Sequence, residues 1–386
     1  AYKSPGGELL VLILAATLGM AFLSASIDLV MLYLAFETVS IPSYVLVGMR
    51  RADPKANEAS LKYVLFGAVS SGMMLYGLSF IIGLTGSTSL EAIGAALSNG
   101  AAEQPVFIAA ALLTFAGFAF KISAFPFHFW APDVYAGAPA AIGGFLAVAS
   151  KAAGFAGLIR VISAIHVHEI PTIEAASALD VVLPDANAFI VVLALSSIFT
   201  MTVGNLGALK ARGIKRLLAW SGIAHAGYLM LACVVWSVAG MQALLFYLVA
   251  YLFMTMAAFF IAGIVIRDTG SDRLTAFRGL WRNNPGLAAM MVIILISLTG
   301  LPPFFGFVAK YHVFYAVFEK GYFWLGIIGL LNGVISLFYY ARVIAYMFLD
   351  DVEEGQPAPK VDMALVDRVY VAAMTVPILV FGLFWE

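Results

Sequence analysis

Titratable side chains interrupt several long apolar stretches of this 386-residue sequence. Glu37 lies near the middle of one such stretch, Lys151 is equally central in another, and His225 lies inside the segment LLAWSGIAHAGYLM. A charged side chain at the centre of a bilayer costs about 2.5 to 3.5 kcal/mol even on the lenient insertion scale. Carboxylates, lysines and histidines that bear this cost are typical of proton pathways.

Two further lysines lie close to prolines. In FAFKISAFPFHFW, residues 118–130, Lys121 precedes Pro126 by five residues, and Lys310 follows Pro302 by eight. A proline ends a half-helix and exposes backbone carbonyls, which a membrane tolerates only where protein or water satisfies them. A break of this kind beside a lysine would give a proton a place to stop halfway across the membrane.

A static buried ion pair is the alternative interpretation of Glu37 and Lys121. Such a pair would leave Lys151 and Lys310 without intramembrane carboxylates of their own, whereas a proton pathway explains all four residues. Burial of an unpaired ammonium favours its neutral form, which suits a group that takes up and releases a proton.

For four other residues the sequence leaves two interpretations open. His225 could relay protons or could be bonded to a backbone carbonyl. Lys62 lies five residues into its helix, and it could extend to the lipid headgroups or take part in the pathway. His128 and Asp133 follow the first break and could form a proton exit or cap the next half-helix.

Composition defines the elements that must position these residues. The chain is 63% hydrophobic and 11% charged, whereas soluble domains are about half apolar and a quarter charged. Eleven apolar stretches are long enough to span a bilayer, and they predict an all-α polytopic membrane protein rather than a barrel of short alternating strands. They lie near 7–26, 28–49, 58–84, 105–124 (continuing brokenly to 136), 138–164, 187–209, 214–237, 240–266, 286–318 (broken), 322–349 and 364–385.

Basic residues separate the loops into two sets. The loops near 50–55, 210–216 and 267–282 are rich in Lys and Arg, whereas 85–104 and 166–187 contain none. By the positive-inside rule the N-terminus is cytoplasmic and the C-terminus lies outside. The net charge of -1 does not suggest nucleic acid as a partner.

Similar segments recur along the chain at nearly constant offsets. Tyr44 and Tyr228, then Tyr63 and Tyr247, lie in similar contexts 184 residues apart. After a short deletion, ISAFPFHF resembles LTGLPPFF with Pro126 over Pro302, at an offset of 176. Chance similarity among apolar helices is the alternative, which the shared offset makes less attractive. The regularity predicts two five-helix repeats, 7–164 and 187–349, followed by a C-terminal transmembrane helix at 364–385. Because five is odd, the second repeat enters from the opposite side, which is an inverted-topology repeat.

The sequence lacks the motifs of nucleotide, iron–sulfur and metallohydrolase sites. It contains no G-x-G-x-x-G, P-loop, cysteine cluster or H-E-x-x-H, and its single cysteine, Cys233, excludes an intrachain disulfide. His166 and His168 are weak evidence for a metal. We therefore expect no cofactor-binding or metal site, and energy for pumping must come from an ion gradient or attached subunits.

Four segments resemble the antiporter-like membrane subunits of respiratory complex I, the proton-translocating NADH:quinone oxidoreductase. They are FETVSIPSYVL, EASLKYVLFGAVSSGMMLYG, KISAFPFHFWAPDVYAGAP and GLPPFFGFVAKYHVF. The resemblance covers nearly the whole chain. It implies a proton-translocating membrane-arm subunit without cofactors, with NAD, FMN, iron–sulfur clusters and quinone in partner subunits. It also implies neighbouring antiporter-like and small membrane subunits, in a bacterial inner membrane or, alternatively, the mitochondrial inner membrane.

The resemblance also implies roles for the intramembrane residues. Glu37 and Lys121 would be the coupled pair of the first half-channel, with Lys62 as a family lysine near that pair. Lys151 would be the central connecting lysine, and His225 would link it toward Lys310, the terminal lysine of the second half. Bacterial members of the family that share these motifs normally carry three more helices before the one that begins near Gly7. We therefore expect this sequence to be truncated or to come from a lineage that lost them.

Two other functions fit the same residues. One is a subunit of a multi-subunit Mrp-type cation/proton antiporter, and the other is a non-conducting structural subunit, as in some membrane-bound hydrogenase relatives. S-I-P-x-Y after Glu37 and the lysine at 310 favour complex I over the antiporter by family likeness. A structural spacer would gain stability by losing its buried charges.

Overall fold

The structure is a computed structural model that describes residues 6–100, 105–164, 188–350 and 358–385. These residues are nearly all helical, and the only pairings of strand type among them are two isolated bridges. Nine of the described helices are each long and apolar enough to cross a membrane, and a tenth span, Ala140–Ala164, consists of two helices joined by a π-helical turn. A shorter apolar helix, Pro285–Thr299, forms the start of the predicted broken stretch 286–318. The predicted all-helical membrane fold is confirmed.

The helices are numbered here in chain order. They are α1 Gly6–Ala25, α2 Leu29–Val47, α3 Pro54–Thr85, α4 Leu90–Ser98, α5 Pro105–Ile122, α6 Ala131–Gly137, α7 Ala140–Phe145, α8 Lys151–Ala164, α9 Ala188–Lys210, α10 Ile214–Val235, α11 Val238–Thr269, α12 Leu280–Asn283, α13 Pro285–Thr299, α14 Phe305–Glu319, α15 Phe323–Phe348 and α16 Leu365–Leu383. A π-helical turn, Leu146–Ser150, joins α7 to α8, and a 3₁₀ turn, Leu274–Phe277, precedes α12.

Short polar residues define where the long helices begin. The Asp28 carboxylate accepts hydrogen bonds from the backbone N–H groups of Val30 and Met31 at 2.9 and 3.1 Å, as an N-cap does. The Thr88 hydroxyl also donates to Asp28 at 2.5 Å, and this bond lowers the pKa of the carboxyl group. Asp53 caps α3 in the same way, with Pro54 at the first helical position, so α3 begins four residues before the predicted apolar stretch.

The first compact unit comprises Ala1–Ala138 and Ala149–Ser197. In it α3 packs along α5, and α1 packs against α2 and α8. The close approach of α3 to α5 requires Gly77, because a methyl group there would lie 2.6 Å from the Ala110 carbonyl oxygen.

The second compact unit comprises Pro139–Val148 and Ile198–Glu386. Its centre is α11, which packs against α7, α10, α13, α14 and α16. The predicted stretch 138–164 is therefore divided: α7 clusters with the second unit and α8 with the first, and the π-helical turn lies at the division.

Several internal features of the two units recur at the offset seen in the sequence. Helices α3 and α11 each have 32 residues and start 184 residues apart. Each ends at a glycine with left-handed backbone, Gly86 at φ 69° and Gly270 at φ 70°. The assignment of inverted repeats, with their boundaries, stays a prediction.

Both spans with a predicted break are interrupted. The helix α5 ends at Ile122, Ser123 has φ 61°, and α6 begins only at Ala131. Helix α13 ends at Thr299, Gly300 has φ 88°, and α14 begins at Phe305.

Protein groups bond to the carbonyls exposed at the first break, as a membrane interior requires. The Trp130 indole donates to the Phe120 carbonyl at 3.2 Å, and the Ser196 hydroxyl donates to the Phe125 carbonyl at 2.7 Å. Each break also contains one cis peptide bond, Phe125–Pro126 in the first and Pro302–Pro303 in the second.

Candidate functional site: buried lysines at two helix breaks

Lys121 lies one residue before the end of α5 and is 2% exposed. Its ammonium donates to the Ser40 hydroxyl at 2.6 Å and lies 4.3 Å from the centre of the Phe36 ring. Glu37 is close enough for its charge to attract the ammonium. No direct ion pair joins Glu37 to Lys121, however, in the chain as described. Glu37 and Lys121 therefore lie near each other, and Ser40 is the residue that Lys121 contacts directly.

Glu37 itself lies on the half-buried face of α2. Its Oε1 atom is buried and makes no hydrogen bond to a described protein group. A buried carboxylate oxygen without a partner is costly. The arrangement therefore leaves a carboxylate with unused bonding capacity beside a buried ammonium.

The stem of Lys121 packs directly on Gly154 of α8. A methyl group at position 154 would lie 2.9 Å from Cγ and 3.3 Å from Cβ of Lys121, closer than nonbonded carbon atoms normally approach. Gly154, Ser40 and Phe36 were not predictable from the sequence, because their importance depends on packing between helices distant in sequence.

Lys62 is paired with two carboxylates. Its ammonium lies 2.7 Å from Asp133 and 2.8 Å from Glu58, and the Lys62 and Asp133 side chains are each 37% exposed. Lys62 therefore reaches two acids within the protein, and its role in the proton pathway stays a prediction. Asp133 lies in the first turn of α6, and its pairing with Lys62 connects that short helix to α3.

His128 lies within the first break and is 1% exposed. Its ring centre is 5.7 Å from that of Phe125 and 4.2 Å from that of Phe129. The role of His128 as a proton exit or cap stays a prediction.

Lys151 is the first residue of α8 and directly follows the π-helical turn. It is 1% exposed, so this ammonium lies in the protein interior as predicted from its central position. π-Helical turns are rare and are often found at functional sites. The role of Lys151 as a connecting lysine stays a prediction.

Lys310 of α14 turns back onto the second break. Its ammonium donates to the Thr299 carbonyl at 2.7 Å and to the Leu298 carbonyl at 3.3 Å, and it lies 4.6 Å from the centre of the Tyr228 ring. The last carbonyls of a helix lack intrahelical partners and carry partial negative charge. Lys310 therefore caps α13 from outside that helix, and it is 6% exposed.

A cavity of about 490 Å³ lies beside Lys310, between α14 and α15. Apolar and aromatic side chains line most of it, among them Phe307, Phe314, Leu330 and Val334.

His225 lies in the interior of α10 and is 2% exposed. Its Nδ1 atom lies 2.8 Å from the Tyr247 hydroxyl and its Nε2 atom 3.4 Å from the Tyr340 hydroxyl. These two partners are side-chain hydroxyls, and the role of His225 in proton transfer stays a prediction. Tyr340 also shares a short hydrogen bond with Ser221.

An asparagine pair lies near this histidine. Asn205 donates to both the backbone and side-chain oxygens of Asn332 at 3.0 Å, and Tyr339 donates to Asn205 at 3.1 Å. These residues were not predicted. The signal available in the sequence was the placement of two amides, Asn205 and Asn332, inside apolar spans, where polar residues are rare.

The structure gives each predicted lysine its own surroundings, and transfer of protons from one to the next stays a prediction. Within the described ranges, no group of three His, Cys, Asp or Glu side chains could hold a metal ion. His166 and His168 lie outside the described residues.

Comparison with known proteins places this site in a family context. The family model described as "NADH:quinone oxidoreductase/Mrp antiporter, TM" matches residues 26–336. NADH-quinone oxidoreductase subunit N of Anaeromyxobacter sp. (strain Fw109-5) is 44% identical, over 98% of this chain and 75% of that protein. The chain thus spans about three quarters of the length of this relative.

Solved structures show the same fold. A chain of respiratory complex I from Thermus thermophilus is similar with a TM-score of 0.80 and 35% identity, over 97% of this chain and 78% of that one. A chain of the Mrp complex from Dietzia sp. DQ12-45-1b is similar with a TM-score of 0.78 and 20% identity, over 97% of this chain and 80% of that one. At that identity the second similarity concerns the fold alone.

Proposed function

The chain belongs to the membrane family shared by NADH:quinone oxidoreductase and Mrp antiporters. From this membership we propose that it is a proton-translocating subunit of NADH:quinone oxidoreductase, of the subunit N type. One observation carries the proposal. A chain 44% identical to subunit N along 98% of its length buries one lysine at each of two helix breaks, Lys121 and Lys310. It is a subunit of an enzyme complex, and the redox energy comes from other subunits.

The surroundings of Lys121 support a proton-loading role. Its direct partner Ser40 is uncharged and the Phe36 ring contributes a cation–π contact. The ammonium can therefore lose its proton without leaving a carboxylate uncompensated in direct contact, which would be costly. We propose that a charge change in neighbouring subunits alters the attraction between Glu37 and Lys121, and that Lys151, His225 and Lys310 carry protons onward.

We further propose that the chain carries no cofactor of its own. NAD, FMN, iron–sulfur clusters and quinone would belong to partner subunits of the complex. Its direct neighbours would be another antiporter-like subunit and small membrane subunits, and its location would be the bacterial inner membrane. The apolar helices and family support an integral membrane protein, and the bacterial source of the relatives supports that location.

An Mrp-type cation/proton antiporter subunit is the second candidate function. It is favoured by the fold likeness to the Dietzia Mrp complex and by the shared family model. The identity to subunit N is about twice as high, at 44% against 20%, so the oxidoreductase is the better supported of the two.

The test begins with the native assembly, purified in mild detergent through a tag on this chain. NADH-driven quinone reduction in that fraction is the expected result. Absence of this activity, with other small membrane proteins present, would favour the antiporter.

Lys121→Met is the sharper test of proton translocation. In proteoliposomes we expect the protons moved per NADH to fall several-fold, because methionine keeps the length of the side chain but cannot carry a proton. Lys320→Met, at an exposed lysine after α14, is the matched control and should pump normally. Full pumping by a correctly assembled Lys121→Met complex would refute the pathway.

A further inference from the structure

Both ring nitrogens of His225 face tyrosine hydroxyls. Tyr247 lies 2.8 Å from Nδ1 and Tyr340 lies 3.4 Å from Nε2, and the Tyr340 hydroxyl continues to Ser221 through a short hydrogen bond. All four side chains are buried, with exposures of 2% or less. The contacts form one continuous chain of polar atoms from α11 through α10 to α15 and back to α10.

No hydrogen bond joins His225 directly to Lys310 in the part of the chain that the structure describes. Both instead contact the ring of Tyr228: the His225 ring centre is 6.1 Å from the Tyr228 ring centre, and the Lys310 ammonium lies 4.6 Å from it. Tyr228 is therefore a shared aromatic neighbour of both residues. Two bonded neighbours of His225 are the hydroxyls of Tyr247 and Tyr340.

We propose that Tyr247, His225, Tyr340 and Ser221 form a proton relay of the second unit, with the two tyrosine hydroxyls as the immediate exchange partners of the imidazole. The inference rests on the proposed function and specifies which groups at the His225 site pass the proton. It adds three residues with uncharged hydroxyl groups, Tyr247, Tyr340 and Ser221, to the proposed proton pathway.

The relay conserves protons at each step. A proton that arrives through the Tyr247 hydroxyl binds to Nδ1 of a neutral His225, while the hydroxyl receives a replacement proton from its other side. The imidazolium then releases the Nε2 proton to the Tyr340 oxygen, as Tyr340 passes its own hydroxyl proton to the Ser221 oxygen and Ser221 releases its hydroxyl proton to an acceptor beyond the relay. Every tyrosine stays neutral and one proton has moved, after which the hydroxyls and the histidine tautomer return to their first orientation. The same steps run in reverse.

The geometry suits this exchange. The Tyr247 bond has an ordinary hydrogen-bond length, whereas the Tyr340 distance of 3.4 Å exceeds the usual N···O range. A small rotation of either side chain would close the Tyr340 step. Ser221 lies four residues before His225 on α10, so the relay advances the proton by one helical turn along the same helix face.

Asn205 and Asn332 are positioning residues in this arrangement. The side-chain oxygen of Asn205 accepts a hydrogen bond from the Tyr339 hydroxyl, and its amide nitrogen donates two hydrogen bonds to Asn332. Tyr339 in turn packs against Tyr340, with ring centres 4.4 Å apart. The amide pair thereby fixes the part of α15 from which Tyr340 reaches His225.

The test uses the complete complex in proteoliposomes. Tyr340→Phe and Tyr247→Phe remove one hydroxyl each, and we expect the rate of proton translocation to fall about a hundredfold, the lower end of the range for a lost proton-transfer group. Tyr346→Phe is the matched control, since Tyr346 lies on the same helix as Tyr340 and contacts Arg278 through its ring, which phenylalanine retains, and it should translocate protons at the normal rate.

A double variant separates a relay from general disturbance. If His225 and Tyr340 act in one chain, His225→Gln combined with Tyr340→Phe should be no slower than the slower single variant, because residues that act as a unit are not additive. Multiplied defects would overturn the relay. A positioning role for Asn205 predicts that Asn205→Leu lowers the rate and alters its pH profile, whereas a purely structural role would change assembly alone.

The outcomes distinguish this inference from the proposed function. Normal pumping by Tyr340→Phe and Tyr247→Phe, with pumping lost in Lys121→Met and Lys310→Met, would overturn the relay and leave the proposed function intact. Normal pumping by the lysine variants as well would overturn both.

A spectroscopic measurement covers the case in which a variant does not assemble. Infrared difference spectra of the wild-type complex during turnover, with ring-deuterated tyrosine, should show tyrosine bands that change together with the histidine bands. Tyrosine bands that do not respond while the histidine bands do would overturn the relay.

Discussion

At the scale of single residues, the buried lysines at the two helix breaks, Lys121 and Lys310, are hydrogen-bonded to uncharged groups. Lys121 donates to a serine hydroxyl, and Lys310 donates to two backbone carbonyls. Each also lies over an aromatic ring, a contact worth about 0.5 to 2 kcal/mol to a cation. When such a lysine releases its proton, no directly bonded charge is left unpaired, so both protonation states can be accommodated.

Gly154→Ala should impair the Lys121 site although it replaces no titratable residue. The added methyl would lie 2.9 Å from Cγ of Lys121, so we expect the lysine to be displaced from Ser40 and overpacking to cost about 1 to 3 kcal/mol. Proton translocation should fall several-fold at unchanged NADH binding, measured in proteoliposomes.

Gly72→Ala is the control for that variant. Gly72 lies in α3, and a methyl group added there would have nothing within 4 Å. Alanine should therefore be neutral or stabilise by about 0.5 to 1 kcal/mol through helix propensity. If the assembled Gly154→Ala complex translocates protons as the wild type does, Gly154 does not position Lys121.

Residue types were predictable from the sequence, whereas residue partners were not. A lysine inside an apolar run is visible in the sequence alone, so Lys121, Lys151 and Lys310 could be predicted as candidate residues. The pairing of Lys62 with Asp133 joins residues 71 positions apart, and no local pattern specifies such a contact. For the same reason Ser40, Tyr340 and the asparagine pair were missed.

At the scale of elements, the two helix breaks are completed by different groups. At the first break an indole and a serine hydroxyl bond to the exposed carbonyls. At the second, Lys310 bonds to the end of α13, and the Ser297 hydroxyl accepts the backbone N–H of Gly306 at 3.0 Å. The second break therefore depends on a titratable side chain in a way that the first does not.

Gly306→Ala should disrupt the second break. A methyl at position 306 would lie 1.9 Å from the Ser297 carbonyl oxygen, which is impossible without moving α14 relative to α13. We expect a cost of at least about 3 kcal/mol, at or beyond the upper end for overpacking, and a strongly reduced yield of assembled complex on native gels. Gly286→Ala, where nothing lies within 4 Å, should assemble normally, and normal assembly of Gly306→Ala would contradict the observed packing.

The positions of the breaks were predictable because their causes are local. Pro126 and the Pro302–Pro303 pair disfavour a continuous helix in their own sequence neighbourhood, although Pro42 and Pro377 lie inside the continuous helices α2 and α16. The start of α3 at Pro54 was missed by four residues, because Asp53 and Pro54 extend the helix beyond its apolar part. The division of the stretch 138–164 between two compact units was not predictable, because it depends on packing with helices distant in sequence.

At the scale of the whole molecule, the segment before α16 is anchored to the second unit. Asn284 bonds to both backbone groups of Val361, at 2.8 and 2.9 Å, and Arg267 donates to the Asp362 carbonyl at 2.5 Å. Helix α16 then packs against the second break, where a methyl at Gly382 would lie 2.2 Å from the Pro303 carbonyl oxygen. The C-terminal helix thus covers the break from one side.

Asn284→Ala should loosen this anchor. Two hydrogen bonds are lost, each worth about 1 kcal/mol net, so we expect the midpoint of thermal unfolding in detergent to fall by a few degrees while NADH oxidation at low temperature is retained. Asn99→Ala, at an exposed residue after α4, should unfold at the wild-type temperature. An unchanged midpoint for Asn284→Ala would show that α16 is held by its apolar contacts alone.

The capping of α13 by Lys310 makes the proton itself a structural ligand. The charge on the ammonium strengthens its bonds to the Leu298 and Thr299 carbonyls. Thermodynamic linkage is reciprocal, so any force that separates α14 from the end of α13 must change the affinity for that proton, and binding or loss of the proton must change the resistance to that force. At this lysine, a force that separates α14 from α13 and a change in the chemical potential of protons therefore shift the same equilibrium.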